Sequence, residues 1–191
     1  MLLWLLAWLF LAAPPAAKKI SYWVEPCYNP ETGCRMGDAE LAAWALRAWQ
    51  NAAEGGLRFE PAGRSEALIR IRWASAEQGL YGEARPITVN GKRGAEVFVL
   101  PAPFETGGDL LMRDAIVYLT CLHESGHALG LAHTAAFEDI MYSFQYGGDI
   151  PEYFGRYRRR LRTRADIQNN SGISEADRKH LASALQSAAI P

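Results

Sequence analysis

Apolar positions along this chain recur with two different periods, and the switch between them marks out its elements. Leu41, Trp44, Ala45, Ala48 and Trp49 fall every three to four residues, the stripe of an amphipathic helix. Asp38 stands where a cap would start that helix, and Gly55-Gly56 where it would end. Ile20-Ser21-Tyr22-Trp23-Val24 reads as a first strand and Leu57–Glu60 as a short second one. Leu68–Trp73 reads as a third, with Arg70 and Arg72 on the face opposite Ile69 and Ile71. Two extended segments follow, Leu80–Val89 and Ala95–Leu100, joined by Asn90-Gly91, a strong hairpin signal. Pro86 cannot donate to a central ladder, so its segment belongs at a sheet edge. Leu110 to Leu129 predicts a long helix. A last helix starts at Ser174, with Asp177 completing a capping pattern, and buries Leu181, Ala184 and Leu185. Strands and helices in this order make an α+β domain, with no internal repeat and no long linker.

The first residues bear on where the protein works. Residues 2–13 are an unbroken apolar run followed by Pro14-Pro15-Ala16-Ala17. That is the length of a signal-peptide core and shorter than the roughly 20 residues of a membrane span. Residues 1–17 are therefore read as a signal peptide and 18–191 as one domain. No Lys or Arg precedes the run, and a retained N-terminal anchor is the alternative. The expected location is secreted, extracellular or periplasmic, as a monomer with no stable membrane association once the segment is removed. A net charge of −1 gives no reason to expect a nucleic-acid partner. Of the three cysteines, Cys27 and Cys34 flank turn-forming residues and suit a local disulfide. Cys121 falls inside the long helix as a buried thiol.

The chemistry is concentrated at residues 123–133, His-Glu-Ser-Gly-His-Ala-Leu-Gly-Leu-Ala-His, which hold three of the four histidines. A helix puts His123 and His127 one turn apart on one face, where both can reach one zinc ion. A straight helix would carry His133 about 9 Å further along the axis, so the chain must end the helix and turn back. Gly130 can take the positive φ that such an ending needs. Three imidazoles leave a fourth tetrahedral position open to water, as catalytic rather than structural zinc sites do. Glu124 is placed to act on that water as general base.

This window resembles the metzincin metallopeptidases, whose pattern is H-E-x-x-H-x-x-G-x-x-H followed by a methionine turn. Asp139-Ile140-Met141-Tyr142-Ser143 supplies the turn, and its spacing from His133 is similar to that of the matrixin branch. The resemblance spans roughly residues 20–188, with 123–143 as its specific part. It implies a metzincin catalytic domain: a twisted mixed sheet with a substrate-binding edge strand, a catalytic helix, the methionine turn and a C-terminal helix. It implies one catalytic zinc held by His123, His127 and His133, with Met141 as an apolar floor beneath it. The activity implied is an endopeptidase that hydrolyses extended protein or peptide substrates through zinc-activated water, with Glu124 as base. A zinc-bearing pseudoprotease that binds peptides without cutting them is the alternative. The edge segment Gly79, Leu80, Tyr81, Gly82, Glu83 and Ala84 is where a substrate strand would add. Tyr142, Ser143, Phe144 and Gln145 stand where matrixins line a specificity pocket.

Some family features lack their residues here. No histidines precede the catalytic helix for a second, structural zinc; the resemblance leaves Ca2+ in the loops possible, as in matrixins, but no acidic cluster has a recognisable ligand spacing for it. The matrixin cysteine-switch motif, which would make Cys27 or Cys34 a zinc ligand, is missing. His180 reads as a solvated or capping residue. The six arginines between Arg156 and Arg164 read as a solvated loop or helix face, with acidic-substrate recognition or proteolytic nicking as the other readings. Asn169-Asn170-Ser171 matches the short glycosylation triplet.

Overall fold

The computed structural model describes residues 16–75, 81–101, 108–187 and 190–191. The apolar run with its expected signal-peptide role lies outside the described residues, as do Gly79 and Leu80. Five strands form one sheet: β1 (Lys18–Val24), β2 (Leu57–Pro61), β3 (Ile69–Trp73), β4 (Gly82–Val89) and β5 (Lys92–Val99). Their order is β2-β1-β3-β5-β4, all parallel except β4, which runs antiparallel to β5 at the edge. The edge placement agrees with Pro86. Asn90 and Gly91 take φ of 50° and 74°, which a two-residue turn of this hand requires.

Period-two patterning decides which side of the sheet is covered. Ile69, Ile71, Val97 and Val99 are fully buried, and they share one core with Leu41, Ala45 and Trp49 of α1 (Asp38–Ala52). Val117, Cys121 and Leu122 of α2 (Leu110–Ala128) join the same core. The alternate residues face away. There Arg72 and Arg85 both stack on Phe98, at 5.5 and 4.9 Å. The two helices are also tied to each other, because the indole of Trp49 donates to the Leu122 carbonyl at 2.8 Å. Fixing α2 against α1 and the sheet fixes whatever α2 carries. The α+β architecture anticipated from the patterning is the one observed.

Three expectations change. Asp38 is not the cap of α1; Gly37 holds that position with φ 109°, and Asp38 sits inside the first turn, 2% exposed. Its carboxylate is paired with Arg113 of α2, whose Nη2 lies 2.6 Å from Oδ2. A further helix, α3 (Ile150–Arg158), precedes the terminal α4 (Glu175–Gln186) and was not foreseen. Asp149 caps α3 by accepting from the Glu152 amide at 2.9 Å. The arginine run that begins on α3 is not simply solvated. Arg158 bonds the cap of α2, Asp109, at 3.0 Å, and Arg164 reaches Asp114 at 3.0 Å and the Gly37 carbonyl at 2.7 Å. These arginines fasten the C-terminal third to the starts of both core helices. Cys27 and Cys34 are joined as a disulfide, and Cys121 is free and buried.

Candidate metal centre

α2 presents His123 and His127 one turn apart, and each ring is oriented from behind. His123 Nδ1 lies 2.6 Å from the Ile140 carbonyl and His127 Nδ1 lies 2.9 Å from the Leu131 carbonyl. A carbonyl can only accept, so the proton of each neutral ring is on Nδ1 and Nε2 keeps its lone pair. The helix then stops in a Schellman arrangement around Gly130, φ 89°. The Gly130 amide donates to the His127 carbonyl at 2.9 Å and the Leu131 amide to Gly126 at 3.0 Å. This reversal aims the Leu131 carbonyl at His127 and returns the chain toward the helix. His133 Nε2 thereby comes 3.2 Å from His123 Nε2 and 3.0 Å from His127 Nε2.

Two of those three nitrogens carry lone pairs, and one proton on the third could satisfy only one of them. The donor set calls for a cation. Around a tetrahedral zinc at 2.0–2.1 Å the nitrogens would stand roughly 3.3 Å apart, a few tenths of an ångström from what is seen. Burial, and then the neighbouring His127, holds the His123 pKa down to about 4. Burial lowers His127 and His133 too, so at neutral pH the rings offer the uncharged state that a metal needs. Glu124 is 7% exposed, and burial pushes its carboxyl up to about 8, with the charge of Glu83 adding to the effect. A dication among the histidines would act in the opposite sense.

Met141 is fully buried against the α2 turn that separates His123 from His127, so close that a Cβ on Gly126 would run into its Sδ. The Thr134 amide donates to the Met141 carbonyl at 2.8 Å and the Ser143 amide to Thr134 at 3.1 Å, which ties the segment after His133 to this turn. From behind, the fully buried Asp177 carboxylate accepts from the Ile140 amide at 2.8 Å and from the Ser174 amide at 2.9 Å. Ile140 also supplies the carbonyl that orients His123. Asp177→Ala should therefore weaken zinc binding about tenfold, the low end for groups that orient ligands, as measured by competition with a chelator. Unchanged affinity would detach Asp177 from the metal site.

The histidines open on a cavity of about 240 Å³. Its wall includes His123, Glu124 and His133, with Leu119 and Thr120 of α2, and Tyr81 and Gly82. Tyr142, Ser143 and Phe144 line it, whereas Gln145 is exposed and does not. Tyr153 and Phe154 of α3 complete it, Tyr153 edge-on to Phe144 and Phe154 tilted against Tyr81, each pair with ring centroids 5.2 Å apart. Sequence reasoning missed these two. The signal was present in Asp149-Ile150-Pro151-Glu152, an N-cap with proline in the first turn.

The edge beside this cavity has a definite polarity. The Leu100 amide donates to the Tyr81 carbonyl at 2.8 Å, so with the β4–β5 register the odd residues of β4 bond to β5. The even residues, Gly82, Ala84, Pro86 and Thr88, turn their backbone groups to the free edge, and of these Pro86 has no N–H to donate. Glu83 instead directs its side chain to the outer face, 2.6 Å from Arg85. His180 is exposed on α4. Among the described residues, one other group could hold a metal, Cys27, Cys34 and Asp38, but its cysteines are bonded to each other and Asp38 holds Arg113.

Two comparisons bear on these features. The family model described as matrixin, a peptidase family, matches residues 17–151, which include α1, α2 and all three histidines. No curated protein matches the chain.

Proposed function

Because the chain belongs to the matrixin family of zinc metallopeptidases, we propose that it is an active endopeptidase, exported from the cell that makes it, cutting extended stretches of protein. The observation that carries this reading is the placement of Glu124. A carboxylate beside three converging imidazoles, in the wall of an open cavity, has no use in a site that only binds. Export rests on the apolar run at residues 2–13 and accords with the Cys27–Cys34 disulfide.

When bound, zinc supplies Lewis acidity toward the scissile carbonyl and acidifies a water. The protein's own groups do the rest. Gly82 and Ala84 offer backbone donors and acceptors to an extended substrate, and the ladder loses its donor at Pro86. Such pairing reads main chain rather than side chains, which suits broad endopeptidase action. Glu124 takes a proton from water as its oxygen bonds to the carbonyl carbon, then passes that proton to the departing amine as the C–N bond breaks. The aromatic walls of Tyr142, Phe144, Tyr153 and Phe154 exclude water and favour a large apolar side chain next to the scissile bond.

The experiment is cleavage of an unfolded protein by purified enzyme, with and without a zinc chelator. Cleavage should stop on chelation and return when zinc is restored, because the histidine cluster contains no other positive charge. Cleavage that persists with all zinc removed removes the reading, and a zinc-loaded protein that never cuts favours the peptide-binding alternative.

A further inference from the structure

Gly82 opens β4 beside the catalytic helix, and nothing in its backbone requires a glycine. It is not among the residues of positive φ. What requires it is the closeness of α2. A Cβ built on Gly82 would lie 2.7 Å from Thr120 Cγ2, 2.7 Å from Glu124 Cγ and 2.9 Å from Glu124 Oε1. Carbon atoms in contact settle at about 3.5–4.0 Å, so a methyl group cannot enter without displacing something. Thr120 is one turn before Glu124 on the same face, 5% exposed, and its branched side chain has little rotamer freedom. Among the described residues no hydrogen bond holds the Glu124 carboxylate. What borders its stem is the Gly82 backbone and the Thr120 side chain.

We propose that Gly82 is a positioning residue for Glu124: its missing side chain lets the edge strand lie directly on the carboxylate's stem, clamping it against Thr120. Backbone and carboxylate are then held at one separation. Gly82 also turns its own peptide groups to the free edge, so the strand that pairs with substrate and the group that moves the proton are a single rigid unit. This inference rests on the endopeptidase reading for its consequence in rate, but its geometric content stands apart from that reading.

The test compares wild type, Gly82→Ala and Gly82→Ala/Thr120→Ser, each zinc-loaded. The histidine ligands are untouched, so zinc affinity should stay within about twofold of wild type. In Gly82→Ala, kcat should fall about 10–100-fold, the cost of misplacing a reacting group by about 1 Å, with KM within about threefold. The double variant removes the Thr120 Cγ2 contact and should recover part of the lost kcat. Crystal structures should show Glu124 in a changed rotamer in Gly82→Ala. Glu124 unmoved in that structure overturns the inference, as does a lower melting temperature with kcat per zinc-loaded molecule unchanged, since the glycine would then serve packing alone. If the wild type does not cut protein, the endopeptidase reading fails, and the Glu124 rotamer still decides the positioning role.

Discussion

Glu124→Gln should bind zinc as the wild type does and cut an unfolded protein about 10²–10⁴-fold more slowly, the range for losing a positioned general base. Glutamine keeps the shape that fits between Gly82 and Thr120, so the wall of the cavity is preserved. It cannot accept and return a proton at the same atom. Zinc should remain because the three facing nitrogens belong to His123, His127 and His133, each fixed by elements other than Glu124. Metal analysis of the purified variant and a cleavage time course check the two halves separately. Equal rates in both forms would deny Glu124 its role as base. Loss of zinc would instead make it part of the metal site.

The histidine spacing, Gly130 and the edge proline were legible because each expresses a local rule. A four-residue step fixes a helix face, a positive φ selects glycine, and a missing N–H excludes a strand interior. The orientation of the rings was not legible. It depends on the Ile140 and Leu131 carbonyls, and in turn on Asp177, 37 residues beyond Ile140. No residue type announces a carbonyl acceptor, since every residue has one. The far wall of the cavity was hidden for another reason. Tyr153 and Phe154 sit on α3, which at nine residues is too short to display a sustained helical period, and Arg156 and Arg158 at its end merge into the arginine run that follows.

The arginines themselves illustrate what composition conceals. Arg156 lies over the rings of Phe137 and Tyr153, at 4.8 and 4.6 Å, while Arg159 pairs with the exposed Glu152. Arg164 stacks on Trp44 of α1 at 4.8 Å while also bonding Asp114 of α2. A run that looks uniform in one dimension therefore divides into Arg156, which braces the cavity's aromatic wall, Arg158 and Arg164, which join helices, and the exposed Arg159, Arg160 and Arg162.

Arg113→Met should destabilise the fold by about 3–5 kcal/mol, the usual cost of leaving one member of a buried ion pair alone. The two side chains are 5% and 2% exposed. Asp38 still accepts a hydrogen bond from the Arg35 backbone N–H at 2.8 Å, but a single neutral donor does not replace a guanidinium held by two contacts. Arg113 also reaches the Gly33 carbonyl at 3.4 Å, inside the loop closed by the Cys27–Cys34 disulfide. The loss would thus loosen that loop, the start of α1 and the start of α2 together. Urea unfolding followed by far-UV circular dichroism measures the change. The double variant Asp38→Leu/Arg113→Met removes both charges and should recover most of the stability, because replacing a buried pair by apolar groups of similar volume is often neutral. A double variant as unstable as the single one would show that shape, rather than the stranded carboxylate, sets the cost. Arg113 lies ten residues before His123 on the same helix, so the single variant should also lose zinc during unfolding at lower urea than the wild type. That coupling follows from α2 being one continuous helix from Leu110 to Ala128, packed along α1 from Arg113 to Leu122 and carrying the histidines just beyond.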